Sequence, residues 1–121
     1  MRFSALAAKI AYGSAKPARA YAHASLKSLK VGRKARLFLF AAFSGLTAAT
    51  PVQLRFRITH AGATAFVDAW SDTVTSTDNG GWTAFSEFFT AHKPGSYLFT
   101  ATIFLGGKHQ HKSAAFSVTA R

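Results

Sequence analysis

The sequence has no cysteine and only four acidic residues, Asp68, Asp72, Asp78 and Glu87. Without cysteine there is neither a disulfide framework nor a thiolate metal site. Four carboxylates leave little material for an acid–base pair. No apolar run approaches the roughly 20 residues that cross a bilayer as a helix, so no membrane partner is expected. A phosphate-binding glycine loop, a serine nucleophile motif and a metal-protease helix are also missing. Base and aromatic residues are plentiful instead. Fifteen Lys+Arg give a formal net charge of +11, and 12 Phe, 2 Trp and 3 Tyr sit in a composition that is 49% hydrophobic. That is enough apolar material for a core, and it excludes wholesale disorder. A length of 121 residues fits one domain.

The bases are unevenly placed. Residues 1–36 hold Arg2, Lys9, Lys16, Arg19, Lys27, Lys30, Arg33, Lys34 and Arg36 and no acid, so that stretch is +9. Residues 37–121 hold six bases and four acids, a balance of +2. The first part is rich in Ala, Lys and Ser, the second in Phe, Thr and Gly. This predicts a basic N-terminal arm over residues 1–34 joined to a nearly neutral globular domain over 35–121.

Three accounts of the arm compete. A secretory signal needs 7–15 uninterrupted apolar residues, and Lys9 ends the run from Phe3 to Ala8. A mitochondrial transit peptide matches the acid-free, Arg- and Ser-bearing composition from Met1 to Leu29. The third and favoured account is an arm that orders on a partner surface. Phe3, Leu6, Ala7 and Ile10 fall on one helical face, with Gly13 as a stop. Pro17 suits the first turn of a second helix carrying Ala22, Leu26 and Leu29. An extended arm is the alternative. The expected partner-binding residues are Arg2, Phe3, Leu6, Lys9, Ile10, Tyr12, Lys16, Arg19, Tyr21, Lys27, Lys30, Arg33 and Lys34. Deleting residues 1–30 is expected to leave the domain folded.

From residue 35 the period changes to two. Residues 35–41 form a short apolar run suited to a central strand. Val52, Leu54, Phe56 and Ile58 alternate with Gln53, Arg55, Arg57 and Thr59, a half-buried strand whose outer face offers Arg55 and Arg57. Ala61-Gly62 turns the chain, residues 65–71 read as a strand, and residues 77–81 form a strong turn signal. Strands follow over 82–89 and 97–105, Gly106-Gly107 reads as a two-residue hairpin, and the last strand runs to Thr119. Six or seven short strands with no intervening helical pattern predict an all-β, antiparallel immunoglobulin-like β-sandwich of about seven strands.

Three stretches carry a resemblance. They are Thr77-Asp78-Asn79-Gly80-Gly81-Trp82-Thr83-Ala84-Phe85, then Pro94-Gly95-Ser96-Tyr97-Leu98-Phe99-Thr100-Ala101-Thr102, then Ala115-Phe116-Ser117-Val118-Thr119. Over residues 72–119 the chain resembles the bacterial and phage immunoglobulin-like repeats of the invasin type (Big domains), found in adhesins and in tailed-phage virion proteins such as capsid decoration proteins. The resemblance implies that Tyr97 is a corner tyrosine and that Ala101 is small because it faces the opposite sheet. These residues are structural and carry no chemistry.

The remaining candidates have bland readings. Asp68 and Asp72 flank Trp70 on one face of a strand, where surface solubility is the better account than acid–base work. Asp78 caps its own turn. His109 and His111 share a face and would need a third ligand to hold zinc, and a solvated basic hairpin explains them better. No catalytic, cofactor-binding or metal residue is assigned, and an enzyme is not expected.

The expectation is a non-enzymatic virion structural protein, a capsid decoration or cement protein located in the virion. Its partners would be other virion proteins such as the major capsid protein, with a homo-oligomer left open and nucleic acid bound only non-specifically through the arm. Two alternatives stand: a basic nucleic-acid-associated subunit of an organellar, mitochondrial ribosome-like machine, and a cell-surface carbohydrate-binding module stacking Trp70 or Trp82 on a sugar.

Overall fold

The computed structural model describes residues 1–12 and 27–120. The strands are β1 (Arg2–Tyr12), β2 (Ser28–Lys30), β3 (Lys34–Ser44), β4 (Thr50–His60), β5 (Ala63–Val74), β6 (Trp82–Phe85), β7 (Phe89–Thr90), β8 (Gly95–Leu105) and β9 (Lys108–Thr119), with a 3-10 turn at Ser76–Asp78. They form two facing sheets. One runs β1-β3-β6 with β7 also on β3; the other runs β2-β9-β8-β4-β5. Every pairing is antiparallel except β2 on β9. The expected antiparallel β-sandwich of the immunoglobulin-like class is present, with nine strands among the described residues.

Alternation builds the core. In β4, Val52, Leu54, Phe56 and Ile58 are all buried, and β8 matches them with Tyr97, Phe99, Ala101, Ile103 and Leu105. Phe56 meets the edge of Phe99 at 5.3 Å and Trp70 at 5.0 Å. Each such ring contributes about 1.5–3 kcal/mol by burial. From the facing sheet come Leu37, Leu39, Ala41 and Phe43 of β3. The expected turns hold the hairpins: Ala61 and Gly62 have φ of 51° and 79°, Gly106 and Gly107 have 60° and 74°. Two successive left-handed residues match the twist of the flanking strands.

Tyr97 is the corner tyrosine: its hydroxyl donates to the Lys93 carbonyl at 2.6 Å, tying strand β8 to the loop before it. Gly95 admits no side chain, because a Cβ there would lie 2.7 Å from His60 Cε1, and its φ is +136°. His60 in turn stacks on Tyr97 at 4.2 Å.

The structure corrects the N-terminal reading. Residues 2–12 are neither a helix nor a free arm; they form β1, paired along its length with β3. Ile10 and Ala11 are buried. Leu29 in β2 is buried as well. The boundary at residue 34 therefore cuts through the sandwich. The expected second helix falls mostly on residues 13–26, outside the described residues. The single strand expected over 82–89 is two strands, separated at Ser86. Its buried hydroxyl accepts from Leu37 N at 3.1 Å and donates to the Glu87 carbonyl at 2.6 Å, while Ser86 N donates to the Leu37 carbonyl at 2.9 Å.

Candidate functional site

The outward face of the five-stranded sheet is read directly from its register. Arg55 stands between Ala69 and Thr102, with His111 beyond Thr102. Arg57 stands between Val67 and Thr100, with Ser113 next, and Gln53 leads through Phe104 to His109. The outward positions of β4, β5, β8, β9 and β2 thus present two arginines, Lys30, two histidines, Ser, Thr and no acid, among apolar residues. Val67, Leu98 and Phe104 leave 48%, 43% and 42% of their surface exposed on this face.

Local bonds tie neighbouring strands across the face. Arg57 donates from Nε and Nη2 to Thr64 Oγ1 at 3.1 and 2.7 Å, spanning to β5. Thr100 and Ser113 hydroxyls meet at 3.0 Å. A shallow depression of about 340 Å³ lies over Arg55, Arg57, Thr59, Leu98, Thr100 and Thr102. His109 and His111 share this exposed face, and among the described residues no three His, Cys, Asp or Glu side chains cluster to hold a metal.

The expected arm residues are distributed differently from the expectation. Phe3 meets Phe43 edge-on at 6.4 Å, and Leu6 and Ile10 pack into the chain's own core rather than a partner's grooves. Tyr12 carries the Arg33 guanidinium over its ring at 4.1 Å. Arg2, Lys27, Lys30 and Lys34 are exposed and Lys9 is half-buried. The Lys34 ammonium lies 5.6 Å from the Phe88 ring. Lys16, Arg19 and Tyr21 lie outside the described residues.

A second feature was not read from sequence. A groove of about 420 Å³ opens between β5 and β6, where the two sheets part. It is lined by Asp68, Trp70 and Asp72 from one sheet and by Trp82 to Glu87 from the other, with Arg36 at its floor. Three of the four acids and both tryptophans meet here. An Asp68 carboxylate oxygen accepts from Glu87 N at 2.8 Å, which latches the sheets together. Arg36 stacks on Phe88 at 4.3 Å and Phe85 at 5.0 Å, and its buried Nε has no hydrogen-bond partner. Asp68 and Asp72 were visible as a same-face pair; what joins them to Trp82 and Glu87 is strand order. The fourth acid, Asp78, accepts from Thr75 N at 2.7 Å within its own turn, as expected.

No family model matches the sequence, and no curated protein matches it. Solved structures do. The chain is similar to the CARDB domain of the PF1109 protein from Pyrococcus furiosus, solved in complex with di-metal ions, with a TM-score of 0.56 and 14% identity over 99% of this chain and 96% of that one. The soluble domain of PmoD from Methylocystis sp. matches with a TM-score of 0.48 and 9% identity over 98% of this chain and 97% of that one. The first likeness is one of fold. It defines the class, a β-sandwich domain with CARDB-type neighbours, and stops short of the invasin-type repeats that the sequence resembles.

Proposed function

We propose that this chain is a non-enzymatic assembly module that docks the outward face of its five-stranded sheet on an acidic protein surface. The observation that supports the reading is the acid-free face itself, with Arg55 and Arg57 flanked by exposed Val67, Leu98 and Phe104. Steering comes from the net charge of +11 and affinity from the apolar residues. A face whose fixed cations are Arg55, Arg57 and Lys30 offers few phosphate contacts, so a protein partner fits better than a nucleic acid. In the virion setting implied by the sequence resemblance, that partner is the major capsid protein.

The test is a pull-down of the full chain from its native lysate, with and without nuclease, alongside the Arg55→Glu/Arg57→Glu double variant. One abundant protein should co-purify regardless of nuclease, and the variant should lose it while unfolding at the wild-type temperature. Binding that disappears with nuclease sinks the reading in favour of nucleic acid.

A further inference from the structure

The two lateral sides of the sandwich carry opposite charge. On one side β5 and β6 frame the groove of Asp68, Asp72 and Glu87, three acids against one lining base, Arg36. On the other, β1 faces β9 across a groove of about 370 Å³ lined by Lys9, Lys27, Lys112 and the apolar Leu6, Ala8, Ile10 and Ala114, with no acid. These sides are opposite ends of both sheets, because β1 and β2 begin the two strand orders and β6 and β5 end them.

We propose that the acidic β5/β6 side of one molecule receives the lysine-lined β1/β9 side of a second copy, joining sandwiches side to side. Charge complementarity selects this occupant. In a chain with 15 bases and four acids, three acids are gathered in one groove. The surface that matches it is carried by the same chain, on the side where an added copy continues both sheets. Lysine stems lie well along indole faces while their ammonium groups reach carboxylates, so Trp70 and Trp82 supply the apolar centre of the contact. Strand β5 contributes a 12-residue edge that no strand covers among the described residues, and no Lys or Pro guards it. The contact is heterologous, so it propagates from copy to copy. The inference is independent of the docking face, which lies on the sheet surface and stays open in such a row.

The full chain is studied by sedimentation velocity and tryptophan fluorescence at about 0.15 M salt, where a Debye length of about 8 Å screens the repulsion between whole bodies more than contact pairs. Both tryptophans line the groove, so association should shift their emission. Asp72→Lys/Glu87→Lys blocks the groove, and Lys27→Glu/Lys112→Glu blocks the opposite side. All four positions are exposed, and Asp68 keeps its latch. Each double variant should associate at least roughly tenfold more weakly than wild type. An equimolar mixture should associate as wild type does and in alternation, since the intact groove of one variant meets the intact lysine side of the other and the two reversed surfaces match as well. The chain with all four charges reversed should associate again.

The lysine-side variant is also the discriminating one. Its two Lys→Glu changes take four from the formal +11, so if net charge alone governed, it would associate more than wild type. A wild-type chain that stays monomeric, a double variant that associates as wild type does, or a mixture that stays monomeric overturns the proposal. So does a sugar that shifts the emission of a monomer. Arg55→Glu/Arg57→Glu should leave self-association unchanged, which separates failure here from failure of the docking face.

Discussion

The two sheets of this sandwich are built in different ways. The five-stranded sheet is built around two hairpins of neighbours in sequence: β4 and β5 join through Ala61-Gly62, β8 and β9 through Gly106-Gly107, and each of these four strands has 11 or 12 residues. The sheet of β1, β3, β6 and β7 has no tight hairpin. Its centre is β3, which collects β1 from one side and the short β6 and β7 from the other. One sheet starts from two local hairpins that then join through β4 and β8 and take up β2; the other forms only by joining distant segments. Local closure costs less chain entropy. The regular sheet therefore presents a surface, while the irregular one depends on single residues to hold distant segments in place.

Removing residues 1–12 should break the molecule, the largest effect expected. It takes away β1, with buried Ile10 and Ala11, and leaves the ladder edge of β3 unpaired. Cooperative thermal unfolding should vanish in calorimetry. If the shortened chain unfolds as wild type does, β1 is a passenger and the contrast between the sheets fails.

Phe56→Ala should cost about 3–5 kcal/mol in urea unfolding, the range for a large buried ring. Phe56 is fully buried at the centre of the regular sheet. Ser86→Ala should cost about 1–3 kcal/mol, because Leu37 N loses its buried acceptor. Ser86→Thr, which keeps the hydroxyl, should recover part of it. Equal losses for Ser86→Ala and Ser86→Thr would show that volume rather than the hydrogen bond matters there. The smallest effect belongs to Tyr97→Phe, at about 0.5–1.5 kcal/mol for one hydrogen bond. Its ring would still stack on Phe116 at 5.4 Å, so m-values should be unchanged.

The regular sheet was legible because its physics is local. Alternation marks β4 and β8, and left-handed turn residues mark the hairpins. Strand β1 was misread for a physical reason. Its ladder shifts at Ser4, so that Phe3 and Leu6, three residues apart, both face inward, followed by Ala8 and Ile10. A bulge in a strand thereby copies the spacing of a helix face. The break at Ser86 was hidden because it depends on a bond to Leu37, 49 residues away. The acidic groove was half legible. Asp68, Trp70 and Asp72 share a face by alternation, whereas Trp82 and Glu87 join them only because β5 and β6 end facing sheets. The cationic strip of Arg55 and Arg57 was legible; that β5, β8 and β9 extend it without an acid was not, since strand order is absent from the sequence.

The position of β1 has a consequence for synthesis. It leaves the ribosome before the other described strands, and its ladder partner β3 is complete at Ser44. Yet β1 packs across to β8 and β9, and β9 ends only at Thr119. At about 5–20 residues per second the nascent chain holds that apolar strand uncovered for roughly 4–15 s.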